Sequence, residues 1–189
     1  MIDKPALRAA ALARRAAVDA AGREAHARAA ADHAGVLLER FRDHVVSGYW
    51  PIRSEADPRP LLRRAAALGA RLALPVTTPD GLDFRLWSED APLVPAGFGT
   101  MGPPPSVPRV QPDLIIMPLA AFDRRGHRIG YGQGHYDRAI AAAHAAGRDP
   151  LLIGLAFAVQ EVEKVPFEPH DIPLDYIVTE EELIAADRG

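Results

Sequence analysis

Residues 113–138 read DLIIMPLAAFDRRGHRIGYGQGHYDR and decide the fold of this 189-residue chain. The continuous apolar run at 113–118 is typical of a strand buried on both faces of a sheet. Gly130, Gly132 and Gly134 alternate immediately before a stretch that favours helix from about 134 to 146. A buried strand, a glycine-rich turn and a helix in this order indicate an α/β protein.

The same alternation extends along the chain. Strands are predicted at 44–50, 71–75, 83–87, 113–118, 151–156 and 175–179, and helices at 5–21, 23–41, 58–68 and 134–146, with a capped helix start at 179–182. Residues 91–112 hold seven prolines and are expected to form a long ordered loop. The predicted fold is α/β: a mostly parallel sheet with helices on both faces, N-terminal helices packed on the sheet, and a single domain over 1–189.

Composition excludes several classes of protein. Hydrophobic residues make up 48% and charged residues 25%, as in soluble globular domains. No apolar run approaches the ~20 residues that span a bilayer, and the absence of cysteine excludes disulfide scaffolds and thiolate zinc sites. A net charge of −3 argues against nucleic-acid binding. We expect a cytoplasmic monomer that binds a small molecule, with neither nucleic acid nor membrane as a partner.

The three glycines are the strongest local candidate for a phosphate site, because free N–H groups at a helix start attract anions. A strand-to-helix turn with extra glycines explains them equally well. A P-loop is excluded, since no Gly-Lys-Ser/Thr occurs in the chain. A Rossmann motif fits poorly, since the third glycine comes one residue early.

Other candidates are ambiguous when taken one at a time. Asp137, just inside the predicted helix, suits a Mg²⁺ ion on a nucleotide, or is an acidic first-turn residue that complements the helix dipole. Lys4 and Arg8 share a helix face and would clamp a polyphosphate, or form a solvated basic surface. Trp50 and Glu55 follow a strand end, where α/β proteins bind ligands, or pack on the core. Histidines 127, 135 and 170 match no zinc spacing.

Taken together, these features resemble the 5-formyltetrahydrofolate cyclo-ligase family. The family signature runs roughly P-x-x-A/G-F-D-x-x-G-x-R-L-G-x-G-x-G-Y/F-Y-D-R. It is matched in order by Pro118, Phe122, Asp123, Gly126, Arg128, Gly130, Gly132, Gly134, Tyr136, Asp137 and Arg138, with Ile129 in place of Leu. Further similarity lies in Lys4-x-x-x-Arg8, in 49–55, in Phe98-Gly99 and in His170-Asp171…Leu174-Asp175.

The resemblance implies an ATP-dependent enzyme that cyclises 5-formyltetrahydrofolate, with or without a polyglutamate tail, to 5,10-methenyltetrahydrofolate through a phosphorylated formyl group. It implies that Arg128 and Tyr136 act at the reacting centre, that Mg²⁺ is held by Asp137 and Asp171, and that folate is bound by Trp50, Glu55 and Phe98. ATP would be bound by Lys4, Arg8, Arg128, Ile129, Gly130, Tyr131, Gly132, Gln133, Gly134, His135 and Tyr136.

The sequence departs from the family pattern in three places. His135 stands where most members have Tyr or Phe, 101–103 replaces a stretch that often reads Pro-Glu-Pro, and Tyr131 and Gln133 stand at positions that are basic in some members. The changes at His135 and 101–103 leave a non-catalytic protein that binds folate or nucleotide as one alternative. Because a fold does not fix function, a second alternative is a different enzyme on a similar scaffold, such as a sugar-phosphate isomerase or coenzyme A transferase.

Overall fold

The structure is a computed structural model that describes residues 3–79, 81–168 and 171–187. The α-helices span α1 (Lys4–Ala16), α2 (Ala20–His33), α3 (Gly35–Leu38), α4 (Arg59–Ala67) and α5 (His135–Ala145). The strands are β1 (Val45–Ser47), β2 (Arg71–Thr78), β3 (Gly81–Trp87), β4 (Val94–Pro95), β5 (Met101–Gly102), β6 (Leu114–Pro118), β7 (Ala121–Phe122), β8 (Arg128–Ile129), β9 (Leu151–Leu155), β10 (Tyr176–Val178) and β11 (Leu183–Ala185).

Within the described residues, seven strands form the main sheet in the order β11-β10-β9-β6-β1-β2-β3. The five central strands are parallel, and β3 and β11 add to the two edges in antiparallel orientation. Strands β4–β5 and β7–β8 pair separately as short hairpins. The predicted α/β class with a mostly parallel sheet is confirmed.

Apolar residues cover both faces of the sheet. On one face, Leu38 and Leu62 of the helices α3 and α4 pack against the strands. On the other, Ile140 of α5 packs with Met117 and Phe122. The first helix, α1, instead packs Ala11 against the β7–β8 hairpin. Among the described residues, no helix is long and apolar enough to cross a membrane.

The N-terminal helices have different boundaries from those predicted. Helix α1 ends at Ala16 rather than near 21, because the Asp19 side chain accepts a hydrogen bond from Gly22 N (2.7 Å) and caps a new helix. Gly22 therefore lies inside α2 instead of between helices. The predicted helix over 23–41 is divided into α2, α3 and a 3₁₀ turn at Glu39–Phe41.

The helix predicted to start at 179–182 is wrong. Thr179 Oγ1 does accept hydrogen bonds from the N–H groups of Glu181 and Glu182, each at 3.2 Å. The chain then turns, and 183–185 pairs with β10 as the antiparallel edge strand β11. The cap was correctly predicted, but cross-strand pairing overrides the local helix preference. Likewise, the loop at 91–112 carries the small β4–β5 hairpin.

Chain order reverses between β1 and β6. From β1 the sheet continues through β2 and β3 to one side, and from β6 through β9 and β10 to the other. The crevice outside the carboxyl ends of strands at such a switch point is where open α/β sheets bind ligands. Tyr49 and Trp50 follow β1 there, and Pro118 ends β6.

Candidate functional site

A cavity of about 630 Å³ opens at this switch point. Its volume is within the range of pockets that bury a small ligand. The residues predicted for the site from the sequence all line it: Lys4, Arg8, Trp50, Glu55, Phe98, Arg128, Ile129, Gly130, Tyr131, Gly132, Gln133, Gly134, His135, Tyr136, Asp137 and Asp171. Residues separated by up to 167 positions in the chain therefore line a single cavity.

The glycine-rich loop curves into the start of α5. Gly132 has φ +92° and Gly134 has φ +62°, both in the left-handed region that side chains rarely adopt. The first N–H groups of α5 have no acceptor inside the helix and, with the helix dipole, favour an anion. Arg8 of α1 donates from Nε to the carbonyl oxygen of Gly130 (2.8 Å), so the first helix supports the loop.

Cations and carboxylates alternate along the wall beside this loop. Lys4 Nζ lies 3.0 Å from Asp171 Oδ2, and Arg128 Nη2 lies 2.6 Å from Asp137 Oδ1. Arg128 also donates to the carbonyl oxygen of Ile172, which adjoins Asp171 in the chain. The Arg128 side chain is only 9% exposed, so its position is fixed by these contacts. This end of the cavity offers both signs of charge.

The acidic side chains fit a magnesium ion that arrives with phosphate. Asp137 and Asp171 both line the cavity, and Mg²⁺ is usually held by one or two carboxylates plus phosphate oxygens. Over the described ranges, no group of three or more His, Asp or Glu side chains converges as a metal cage. Asp137 and Asp171 are thus carboxylates that this cavity could offer to such an ion. His170, adjacent to Asp171, lies outside the described residues.

The cavity also has aromatic side chains and a buried carboxylate in its lining. Glu55 is 8% exposed, and its Oε2 accepts a hydrogen bond from Ile52 N (2.9 Å). Burial raises the pKa of Glu55, and neighbouring donors partly oppose this. Trp50 packs edge-on against Trp87, with ring centroids 6.4 Å apart, and Arg59 lies over its ring at 5.3 Å.

An aromatic pair closes the rim of the cavity. Phe98, 65% exposed and at φ +51°, approaches the His135 ring to a centroid distance of 5.3 Å. Thr100 Oγ1 donates to the carbonyl oxygen of Trp50 (3.3 Å), which fixes the Phe98 loop to the end of β1. Desolvation, followed by the nearby Arg138 charge, lowers the pKa of His135, so the imidazole stays neutral near pH 7.

Two tyrosines line the cavity. Burial is the main cause that raises the pKa of both Tyr131 and Tyr136, and the negative charge of Glu55 adds to it. Both phenols are therefore protonated at neutral pH and can donate a hydrogen bond. Tyr136, in the first turn of α5, lies where the glycine-rich loop meets the aromatic half.

Several residues of the site region were not predicted. His127 and Phe167 stack face to face at 4.0 Å and line the same cavity. Arg15 of α1 contacts the site from beneath, through the Tyr131 hydroxyl (2.6 Å). Arg15 lies seven residues after Arg8 and eleven after Lys4, which places the three cations along one helix face. This spacing is the signal that would have found it.

The fold and the cavity define an α/β protein with a small-molecule site at the switch point of its sheet. A sequence model of the 5-formyltetrahydrofolate cyclo-ligase family matches residues 1–180. A 5-formyltetrahydrofolate cyclo-ligase of Mycolicibacterium smegmatis is 34% identical over 193 aligned residues, covering 97% of each chain. That of Escherichia coli K12 is 35% identical, covering 72% of this chain and 78% of its own.

Solved structures agree. A 5,10-methenyltetrahydrofolate synthetase of Aquifex aeolicus superposes with a TM-score of 0.76 at 28% identity, covering 98% of this chain and 94% of its own. One of Mycoplasma pneumoniae has a TM-score of 0.74 at 20% identity and supports the fold. The chain belongs to the 5-formyltetrahydrofolate cyclo-ligase family, and it is an enzyme of that family.

Proposed function

We propose that the protein uses Mg·ATP to cyclise 5-formyltetrahydrofolate, with or without a polyglutamate tail, to 5,10-methenyltetrahydrofolate, with release of ADP and phosphate. The observation that carries the proposal is the single cavity, which is lined by a glycine-rich helix start and by a buried carboxylate with aromatic neighbours. A phosphate donor and a flat heterocycle require these two environments side by side. Action as a cytoplasmic monomer also remains a prediction.

The nucleotide is assigned to the end of the cavity at α5. Backbone N–H groups after Gly134 would face the phosphates, and the cations Lys4, Arg8 and Arg128 would offset their charge. In the structure, Lys4 and Arg128 contact Asp171 and Asp137. Phosphate oxygens would exchange into these ion pairs, which leaves the two carboxylates to hold Mg²⁺. When bound, Mg²⁺ supplies positive charge at the phosphate oxygens of the transferred group.

The folate is assigned to the aromatic half. Glu55 would accept hydrogen bonds from the N–H groups of the pterin, and Trp50 and Phe98 would bind its flat ring. Burial is the largest cause of the raised pKa of Glu55, and pterin donors would add hydrogen bonds to its charged form. Binding energy at this carboxylate therefore fixes the orientation of the reacting formyl group.

The chemistry requires positioning more than proton transfer. The formyl oxygen attacks the γ-phosphorus, ADP leaves, N10 attacks the activated formyl carbon, and the carbon–oxygen bond breaks to release phosphate. The formyl oxygen thus ends in phosphate, and N10 loses its proton. Arg128 would stabilise charge on the transferred phosphoryl group, and Tyr136 would hold the two substrates in line. No side chain forms a covalent bond in this scheme.

The test is an absorbance assay at the near-ultraviolet band of methenyltetrahydrofolate, with each component omitted in turn. The expected result is an increase in absorbance that requires 5-formyltetrahydrofolate, ATP and Mg²⁺ together. No growth, with folate binding intact by calorimetry, would refute the proposal. It would favour the alternative of a non-catalytic binding protein. His135 and the 101–103 stretch, which lacks the Pro-Glu-Pro carboxylate, would then be the first positions to change to the residues of the family pattern.

A further inference from the structure

A buried arginine lies beneath the glycine-rich loop. Arg15, at the end of α1, is 3% exposed. Its Nε donates to Ser54 Oγ (3.1 Å), and its Nη1 donates to the Tyr131 hydroxyl (2.6 Å) and to the carbonyl oxygen of Leu119 (3.4 Å). A buried guanidinium is retained only with such partners. It joins the segment before Glu55 to the loop after Gly130.

The Tyr131 hydroxyl connects this arginine with the carboxylate of Glu55. Arg15 has only N–H donors, so the phenol oxygen must accept from it. The single phenol proton is then left for another acceptor, and the Tyr131 phenol lowers the pKa of Glu55, which lines the same cavity. The Arg15 hydrogen bond therefore leaves the phenol proton for a carboxylate such as that of Glu55.

We propose that Arg15 and Tyr131 are positioning residues that hold Glu55 as an oriented carboxylate and link nucleotide binding at the glycine-rich loop to folate binding. The inference rests on the proposed function, because it assigns Glu55 to the folate and the loop to ATP. Neither Arg15 nor Tyr131 needs to touch a reacting atom. The buried Arg15 guanidinium lies against the ring of Tyr131, 5.7 Å from its centroid.

The Arg15–Tyr131 arrangement affects the protonation of Glu55. Desolvation favours the protonated form of Glu55, and a protonated carboxyl accepts fewer hydrogen bonds. The charged and titratable groups that face Glu55 are Arg15, Arg53, Tyr49, Tyr131 and Tyr136. Only Tyr131 among them belongs to the glycine-rich loop. A shift of the loop around a nucleotide would therefore change the proton donor of Glu55 directly.

The test is the Tyr131→Phe variant, which keeps the ring that lies against the Arg15 guanidinium at 5.7 Å and removes the hydroxyl. Tyr176→Phe removes a phenol hydroxyl from β10 at a residue that does not line the cavity, and is the matched control. Loss of a hydrogen bond to a charged group should raise the KM for 5-formyltetrahydrofolate about ten-fold and that for ATP less than about three-fold. The control should change neither.

Two further readouts separate positioning from a merely structural role. The acid limb of the kcat/KM profile for folate should move to higher pH in Tyr131→Phe, since Glu55 loses a donor to its charged form. In calorimetry, a non-hydrolysable ATP analogue with Mg²⁺ should tighten 5-formyltetrahydrofolate binding, and ATP-analogue and folate must affect each other by the same factor. That factor should fall toward one in the variant.

Equal rises in both KM values, with an unmoved acid limb and an unchanged coupling factor, would overturn the inference while leaving the proposed function standing. If turnover proves too weak to measure, the pKa of Glu55 is followed directly by ¹³C NMR, with Glu55→Gln for assignment. An unchanged Glu55 pKa in Tyr131→Phe would overturn the inference as well. If the wild-type protein does not bind 5-formyltetrahydrofolate, the proposed function fails first, and the folate role of these residues fails with it.

Discussion

Glu55→Gln should make the protein more stable at neutral pH and weaken its binding of folate. In the folded chain the carboxyl is 8% exposed, and burial is the largest cause of its raised pKa. The folded state therefore binds a proton at a pH at which the unfolded chain has already released it. The free energy of unfolding falls as the pH rises from the ordinary value of 4.5 through the folded pKa, and is constant above it.

A glutamine removes this dependence and keeps an acceptor for Ile52 N. Its stabilising effect should be absent near pH 4 and full at pH 7, where each 1 kcal/mol raises Tm by about 2–4 °C in a chain of this size. Hydrogen bonds to a charged group are worth about 1 kcal/mol more than neutral ones, so two pterin bonds lose about 2 kcal/mol, or about thirty-fold in affinity.

Thermal denaturation at several pH values and calorimetry with 5-formyltetrahydrofolate and with ATP measure the two effects. A Tm difference between variant and wild type that is the same at pH 4 and pH 7 would refute the electrostatic reasoning. An equal loss of affinity for folate and ATP would mean that Glu55 supports the whole cavity rather than the folate.

Three other variants test separate parts of the structure. Asp137→Asn keeps an acceptor for the nearly buried Arg128, so the free energy of unfolding should fall by about 1–2 kcal/mol, the difference between a charged and a neutral hydrogen bond. Mg·ATP-dependent turnover should be largely lost, and full turnover at saturating Mg²⁺ would exclude the carboxylate as a metal ligand. Gly154→Ala places a Cβ 2.6 Å from Leu174 Cδ1 and should lower the free energy of unfolding, measured by urea denaturation, by about 1–3 kcal/mol. An unchanged urea midpoint would show that the neighbouring core side chains move aside without cost. Desolvation lowers the pKa of buried His26, so the free energy of unfolding should fall as the pH drops below 6.5, where the unfolded chain takes up the proton. Between pH 7.5 and 5.5 the His26→Gln variant should therefore lose less stability than the wild type. An equal loss of stability in the two proteins would contradict this.

The strands were predictable because their sequence signal is strong. The apolar runs at 113–118 and 151–156 are typical of strands buried in the middle of a parallel sheet, and both lie there as β6 and β9. Helix boundaries were less predictable, since Ala and Arg favour helix on both sides of Asp19, and only the cap on Gly22 N divides α1 from α2. Residues 183–185 form a strand because β10 offers a free edge, which local sequence does not reveal.

The part of the site that could be predicted is the part in which the backbone conformation requires a particular residue type. Gly132 and Gly134 both take positive φ values, so the glycine spacing reports the shape of the loop. Arg15 was missed because an arginine on a predicted helix is usually expected to be solvent-exposed. Its burial depends on Tyr131 and Ser54, which approach it from distant parts of the chain. The ion pair between Lys4 and Asp171 likewise arises only when the two ends of the chain meet.

The measurement that tests the central claim most directly follows the formyl oxygen. If one cavity brings the formyl group against the γ-phosphorus of ATP, 5-formyltetrahydrofolate labelled with ¹⁸O in the formyl group should pass its label to inorganic phosphate. One labelled oxygen per phosphate, in unlabelled water and with one methenyltetrahydrofolate formed, is the predicted result. Unlabelled phosphate from labelled substrate, or ¹⁸O in phosphate only when the water carries it, would contradict direct attack and the assignment of the two substrates to one site.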